Sequence, residues 1–196
     1  MSRLIVYAGP NGSGKSTTRD IAGDPVDVVI DPDRIARGLT LANQAMADIE
    51  AGREAVRLFN QALADGLSVS LETTLTGSSI LRRMRQAKAA GFEVSLFYVA
   101  LMSADDNIAR VAARVANGGH HIPSDTIIRR VAASQENLPA ALTIADYSKV
   151  FDNSGPELTH LLTVEHGCIL LEAAALPQWL ALRMPSIRQA LRTERR

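Results

Sequence analysis

Gly9-Pro10-Asn11-Gly12-Ser13-Gly14-Lys15-Ser16-Thr17 fits the pattern G-x-x-x-x-G-K-[ST] in full. The apolar, β-prone run Leu4-Ile5-Val6-Tyr7-Ala8 precedes it and reads as a buried parallel strand. Ser16 to Ile21 follows as the start of a helix. Glycines at these positions let successive backbone N–H groups turn inward, toward phosphate oxygens, and the helix adds the positive end of its dipole. The stretch from Gly9 to Thr17 is therefore expected to cradle a nucleoside triphosphate. Lys15 would reach the β- and γ-phosphates, and the Ser16 hydroxyl would ligate Mg²⁺.

Outward from this loop, strands and helices alternate. Val26–Ile30 predicts a second strand, which ends in Asp31-Pro32-Asp33-Arg34. A long helix is expected from about Leu41 to Asp65, with Ile49, Val56, Phe59 and Leu63 on its inner face. Leu67–Leu71 predicts the third strand and delivers Glu72-Thr73-Thr74 at its carboxyl end. The next helix opens at Gly77 and Ser78, with Ile80, Leu81, Met84 and Ala87 inward and Arg82, Arg83, Arg85 and Lys88 mostly outward. Glu93–Leu101 predicts a fourth strand, followed by a helix with Arg110 and Arg114 opposite its apolar face. A glycine-rich segment, 117–123, ends that helix. Further helices are expected around Arg129-Arg130 and, separately, over Leu138–Ala145 with Pro139 near its start. Ser148–Phe151 predicts the fifth strand and leads to Asp152-Asn153-Ser154. Leu158–Val164 and Cys168–Leu171 predict a hairpin, and Pro177 to about Arg192 a final helix. The arrangement is a single α/β domain over 1–196: three layers (αβα), a mostly parallel five-stranded core sheet, a small helical lid at about 104–135 and a C-terminal strand and helix extension.

Composition narrows the classes. The chain has 196 residues, 46% hydrophobic and 21% charged, with 21 basic and 21 acidic side chains. That balance argues against a nucleic-acid footprint or a membrane surface. A lone cysteine, Cys168, allows no internal disulfide and is expected in a packing role. The first strand begins almost at the N-terminus and no apolar run reaches membrane length, so a cytoplasmic location is expected.

Four strand ends carry polar residues: the phosphate loop, Asp31 and Asp33, Glu72-Thr73-Thr74, and Asp152-Asn153. Ligands of open parallel sheets collect at such ends. Asp33 fits a helix cap, and it also fits the carboxylate that accepts a hydroxyl proton during phosphoryl transfer. Asp31 suits the turn. Glu72 leaves an apolar strand as a charge, and reads either as a substrate or metal contact or as an exposed strand end. Thr73 and Thr74 offer hydroxyls or simple β-propensity. Arg110, Arg114, Arg129 and Arg130 bracket a hinge, as lid arginines do, although arginine pairs on helices are often solvated. His120 and His121 lack partners at metal-ligand spacing. Arg183, Arg188, Arg192, Arg195 and Arg196 read as a solvated helix face. No Asn-Lys-x-Asp guanine motif marks a GTPase switch, and the chain is short for a motor ATPase.

The phosphate loop, Asp31-Pro32-Asp33, Leu71-Glu72-Thr73-Thr74-Leu75-Thr76-Gly77, Arg110 to His120, Arg129-Arg130 and Asp152-Asn153-Ser154, in this order, resemble the zeta toxin family, over about Arg3 to Ser154. The resemblance implies a phosphate-loop kinase fold with ATP or GTP as donor and Mg²⁺. It implies an acceptor hydroxyl on a UDP-sugar such as UDP-N-acetylglucosamine, and a separate antitoxin protein. By motif position Asp33 would be the catalytic aspartate, with Glu72 and Thr74 on the acceptor. Best-known members follow that glutamate with a glycine, a threonine and soon an arginine, whereas here no arginine appears before Arg82. Other readings are a kinase for a nucleotide, nucleoside or antibiotic, and a nucleotide-binding switch without transfer.

Overall fold

β1 (Arg3–Ala8) is an interior strand of the sheet, with both of its faces apolar: Leu4, Val6 and Ala8 enter the main core, and Ile5 and Tyr7 are buried on the other side. The structure is a computed structural model that describes residues 1–39, 44–119 and 121–193. α1 (Lys15–Ala22), β2 (Val28–Ile30), α2 (Pro32–Gly38), α3 (Gln44–Ala64), β3 (Val69–Thr73), α4 (Ser78–Ala89) and β4 (Glu93–Ala100) follow. Then come α5 (Ala104–Ala116), α6 (Ser124–Ile144), β5 (Tyr147–Asp152), β6 (Thr159–Glu165), β7 (Cys168–Glu172), α7 (Gln178–Ala181) and α8 (Met184–Thr193).

The strand order is β2-β3-β1-β4-β5-β6-β7. The first five are mutually parallel, and the hairpin β6-β7 continues the sheet antiparallel beyond β5. The expected five-stranded core thus gains two strands from the extension. Parallel pairing brings Ala8 beside Thr73, and Ile30 beside Leu71, so the phosphate loop, the end of β2 and the end of β3 emerge along one rim. One face of the sheet carries most of the core, with Phe59, Met84, Leu138, Leu142 and Ile187 from α3, α4, α6 and α8. On the other face Tyr7, Phe97 and Tyr147 form an aromatic row, with ring centroids 5.3 and 6.5 Å apart.

Several elements differ from expectation. The inner face of α3 is Ala47, Ala51, Ala55, Phe59 and Ala62, while Ile49 and Val56 are 59% and 38% exposed. Small residues let α2 lie close, and Ala36 joins Ala47 and Ala51 there. The two helices expected around Arg129-Arg130 and over Leu138–Ala145 are one, α6, with Pro139 buried inside it. The expected single C-terminal helix is broken between α7 and α8, although Leu180, Met184, Ile187 and Leu191 are buried as predicted. Cys168 is half-buried at the start of the edge strand β7, not in the core. The predicted helix start at 41–43, His120, Arg195 and Arg196 lie outside the described residues. Among the described residues no helix is long and apolar enough to cross a membrane.

Candidate active site

The phosphate loop is held open by bonds from three other elements. Asn107 Nδ2 of α5 donates to Asn11 O at 2.6 Å, Asn153 Nδ2 beyond β5 donates to Ser13 O at 2.8 Å, and Arg130 Nη1 of α6 donates to Asn11 Oδ1 at 2.9 Å. Gly14 has φ +98°, and a Cβ there would overlap the Asn153 amide; Gly9, at φ +143°, leaves no room beside Val99 O. Lys15 is the first residue of α1 and is buried, its Nζ donating to Pro10 O at 2.9 Å. Burial pushes its pKa down, and Glu72 and Asp33 oppose that shift.

A cavity of about 380 Å³ lies over the loop, bordered by Lys15, Ser16, Arg110, Arg114 and Asn153. Arg110 Nη2 donates to Asn153 O at 2.6 Å, and the buried Arg114 Nε has no hydrogen-bond partner among the described residues. Arg130 is on the neighbouring wall, bordering a second cavity of about 320 Å³ and a third of about 240 Å³. Arg129 is exposed, donates to Thr126 Oγ1 at 3.2 Å and borders none of the three. The second cavity is walled by Asp33, Glu72, Thr73, Thr74, Thr76 and α4.

Asp33 is exposed on the first turn of α2 and borders all three cavities. Asp31 is the cap of that helix, its Oδ1 accepting from the Arg34 N–H at 3.0 Å. Glu72 is buried near the end of β3, and the Ser16 hydroxyl donates to its carboxylate at 3.0 Å. Arg19 Nη1 bridges Asp31 and Glu72, at 3.2 and 3.3 Å. Burial pushes the Glu72 pKa up, against the pull of Lys15 and, more weakly, of Ser16 and Arg19.

The segment after β3 is a braced turn. Leu75 is fully buried with φ +58°, uncommon for a residue with a side chain. Thr73 Oγ1 accepts its N–H at 3.1 Å, Asn137 Nδ2 of α6 donates to its carbonyl at 2.9 Å, and the Thr74 and Thr76 hydroxyls are 3.0 Å apart. Asp152 turns away from the cleft: its carboxylate accepts from the Ser154 N–H at 2.8 Å and from Trp179 Nε1 at 3.2 Å, tying β5 to α7. Of the pair Asp152-Asn153, only Asn153 reaches the loop. His121 borders the third cavity, and among the described residues no cluster of three or more His, Cys, Asp or Glu could hold a metal ion.

Sequence reasoning missed Arg19, Arg83, Asn107 and Asn137. Arg19 lies four residues after Lys15, hence on the same helical face, and Asn107 shares a face with Arg110 and Arg114. Arg83 borders the second cavity instead of pointing outward.

Residues 2–160 match the zeta toxin family. The chain belongs to this family. An uncharacterized protein of Haemophilus influenzae is 44% identical over 126 residues, 64% of this chain and 90% of that protein. Among solved structures, the AvrRxo1-ORF1:-ORF2 complex with ATP aligns at TM-score 0.69 and 14% identity, over 99% of this chain and 76% of the matched one. The PezAT toxin-antitoxin system of Streptococcus pneumoniae aligns at TM-score 0.59 and 14% identity, covering 98% of this chain and 87% of its own. A putative kinase from Chloroflexus aurantiacus gives 0.51 at 18% identity, covering 68% and 79%. At such identities these likenesses establish the shared fold. Membership of the zeta toxin family supports an ATP-dependent phosphotransferase.

Proposed function

We propose that this chain transfers the γ-phosphate of ATP to a hydroxyl of a nucleotide sugar such as UDP-N-acetylglucosamine, with Asp33 as general base. The observation that carries this reading is the place of Asp33. It borders both the cavity over the phosphate loop and the cavity beyond it, so a hydroxyl beside its carboxylate also faces the transferring phosphate. The acceptor oxygen forms a bond to the γ-phosphorus, the bond from that phosphorus to the β-bridging oxygen breaks, and the hydroxyl proton passes to Asp33. Lys15, Arg110 and Arg114 stand where negative charge gathers on the phosphoryl oxygens. Glu72, Thr73 and Thr74 hold the acceptor.

Ser16 and Glu72 offer hard oxygen donors within 3.0 Å of each other. Mg²⁺ takes few protein ligands beside phosphate oxygens and water, so this donor set fits it, with charge neutralisation as its contribution. The likeness to the PezAT toxin-antitoxin system supports a separate antitoxin partner for this chain as well.

The test is incubation with labelled Mg·ATP and UDP-N-acetylglucosamine, and in parallel a metabolite extract, with products read by mass spectrometry. A nucleotide sugar carrying one added phosphate is the expected product. Transfer to a nucleoside, antibiotic or free sugar alone would replace the acceptor and leave the kinase. Binding without any transfer would reduce the protein to a nucleotide switch.

A further inference from the structure

Every charged group bordering the second cavity except Arg83 and the proposed base Asp33 has a bonded partner on the protein. Lys15 is bonded to Pro10, Glu72 to Ser16 and Arg19, Asp31 to Arg19 and the Arg34 amide, and Arg130 to Asn11. Arg83, on α4, is half-buried, yet among the described residues it has no ion pair and no hydrogen bond. Its Cζ lies over the Phe59 ring, 5.9 Å from the centroid. A ring under the guanidinium plane leaves the N–H donors at its edge unused. Burial pushes the Arg83 pKa down and Arg82 adds repulsion, so the charge is held in a place that disfavours it.

We propose that Arg83 is a specificity-determining residue that takes a phosphate or diphosphate group of the acceptor, so that neutral hydroxyl compounds are poor substrates. The proposal rests on the kinase reading. A guanidinium edge matches two phosphate oxygens at once, a geometry that an ammonium lacks. The same cavity of about 320 Å³ is bordered by Asp33, so one small ligand meets the base with its hydroxyl and Arg83 with its anion. Phe59, fully buried on α3, gives the guanidinium a fixed apolar neighbour.

The experiment is calorimetry on the full chain with the phosphate loop filled by the magnesium complex of a non-hydrolysable ATP analogue. Inorganic pyrophosphate, UDP and uridine are the probes. Wild type is expected to bind pyrophosphate and UDP but not uridine. Arg83→Gln should weaken both phosphate compounds by about tenfold to a hundredfold, the range for a lost charge-assisted bond, without changing affinity for the ATP analogue. Arg83→Lys should recover part of the loss and, as a milder change, guards against misfolding. Equal binding of UDP and uridine, no binding of either phosphate compound, or full affinity in Arg83→Gln each overturns the proposal. Phosphoryl transfer is scored separately. Transfer to a neutral acceptor that ignores Arg83→Gln removes the anion anchor and keeps the kinase, whereas Arg83-dependent binding without transfer to any acceptor keeps the anchor and removes the kinase.

Discussion

The two halves of the cleft are built differently. The nucleotide half is one short run of backbone, Gly9 to Thr17, whose shape is fixed by glycines and by Asn107, Arg130 and Asn153 bonding to it from outside. The half proposed for the acceptor has no glycine-rich loop of this kind. Its walls come from the start of α2, the braced turn after β3, α4 and α6, with Asn11 and Lys15 on the side of the phosphate loop. Backbone recognition suits a ligand part that never varies, the triphosphate. Residues delivered by separate elements can change one at a time, which would suit a ligand part that varies, as proposed for the acceptor.

The sharpest way to break this comparison is to remove one group from each half. Lys15→Ala should abolish turnover and weaken Mg·ATP binding, whereas Asp33→Asn should keep ATP affinity and lose ~10²–10⁴-fold in turnover, the usual contribution of a general base. Titration calorimetry and initial rates on the same preparations separate the two. An Asp33→Asn enzyme as active as wild type would dissolve the boundary at this residue.

A second, smaller effect locates the charge-stabilising side chains. Arg114→Ala or Arg110→Ala should cut turnover by about 10²-fold with little change in nucleotide affinity, because such contacts strengthen in the transition state. Arg129→Ala, exposed and away from all three cavities, should be near wild type. Rates of the three variants side by side decide it, and a large loss at Arg129 alone would redraw the lid.

The smallest effect is one of stability. Burial raises the Glu72 pKa above the ordinary glutamate value, so the folded state binds that proton more tightly than the unfolded chain. Its contribution to stability is therefore present below an ordinary glutamate pKa of about 4.3 and lost as pH rises through the raised value. Glu72→Gln should raise Tm at neutral pH, with the gain shrinking toward zero as pH approaches 4, while the acceptor KM worsens. Thermal melts across that range test it. A lower Tm at every pH would mean that the bonds from Ser16 and Arg19 outweigh burial.

The sequence made the nucleotide half legible because its signal is local: a β-prone strand, a spaced set of glycines and a lysine–serine pair. The mostly parallel sheet followed, since apolar runs alternating with helical periods leave few topologies; the strand order came only from the structure. The acceptor half was half legible. Asp33 and Glu72 stand out as charges at strand ends, but Arg83 is one of four cations on α4, and only the burial beside Phe59 separates it from Arg82. Asp152 shows the converse, a polar strand end consumed by Trp179, a contact between residues 27 apart in the chain. The face of α3 misled for a physical reason: alanines allow α2 to approach, and hydrophobicity alone favours Ile49 and Val56. Pro139 removes one N–H, and the packing of Leu138, Ala141 and Leu142 outweighs that loss.

That unbroken helix α6 has a mechanical consequence. Arg130 grips the phosphate loop, and Asn137, seven residues on, grips the carbonyl of Leu75. At a rise of about 1.5 Å per residue the two grips are roughly 10 Å apart along one stiff rod. A rod held at two points transmits a tilt as well as a load. The phosphate loop and the threonine turn thus rest on one shared support, so neither could shift without loading the other through α6.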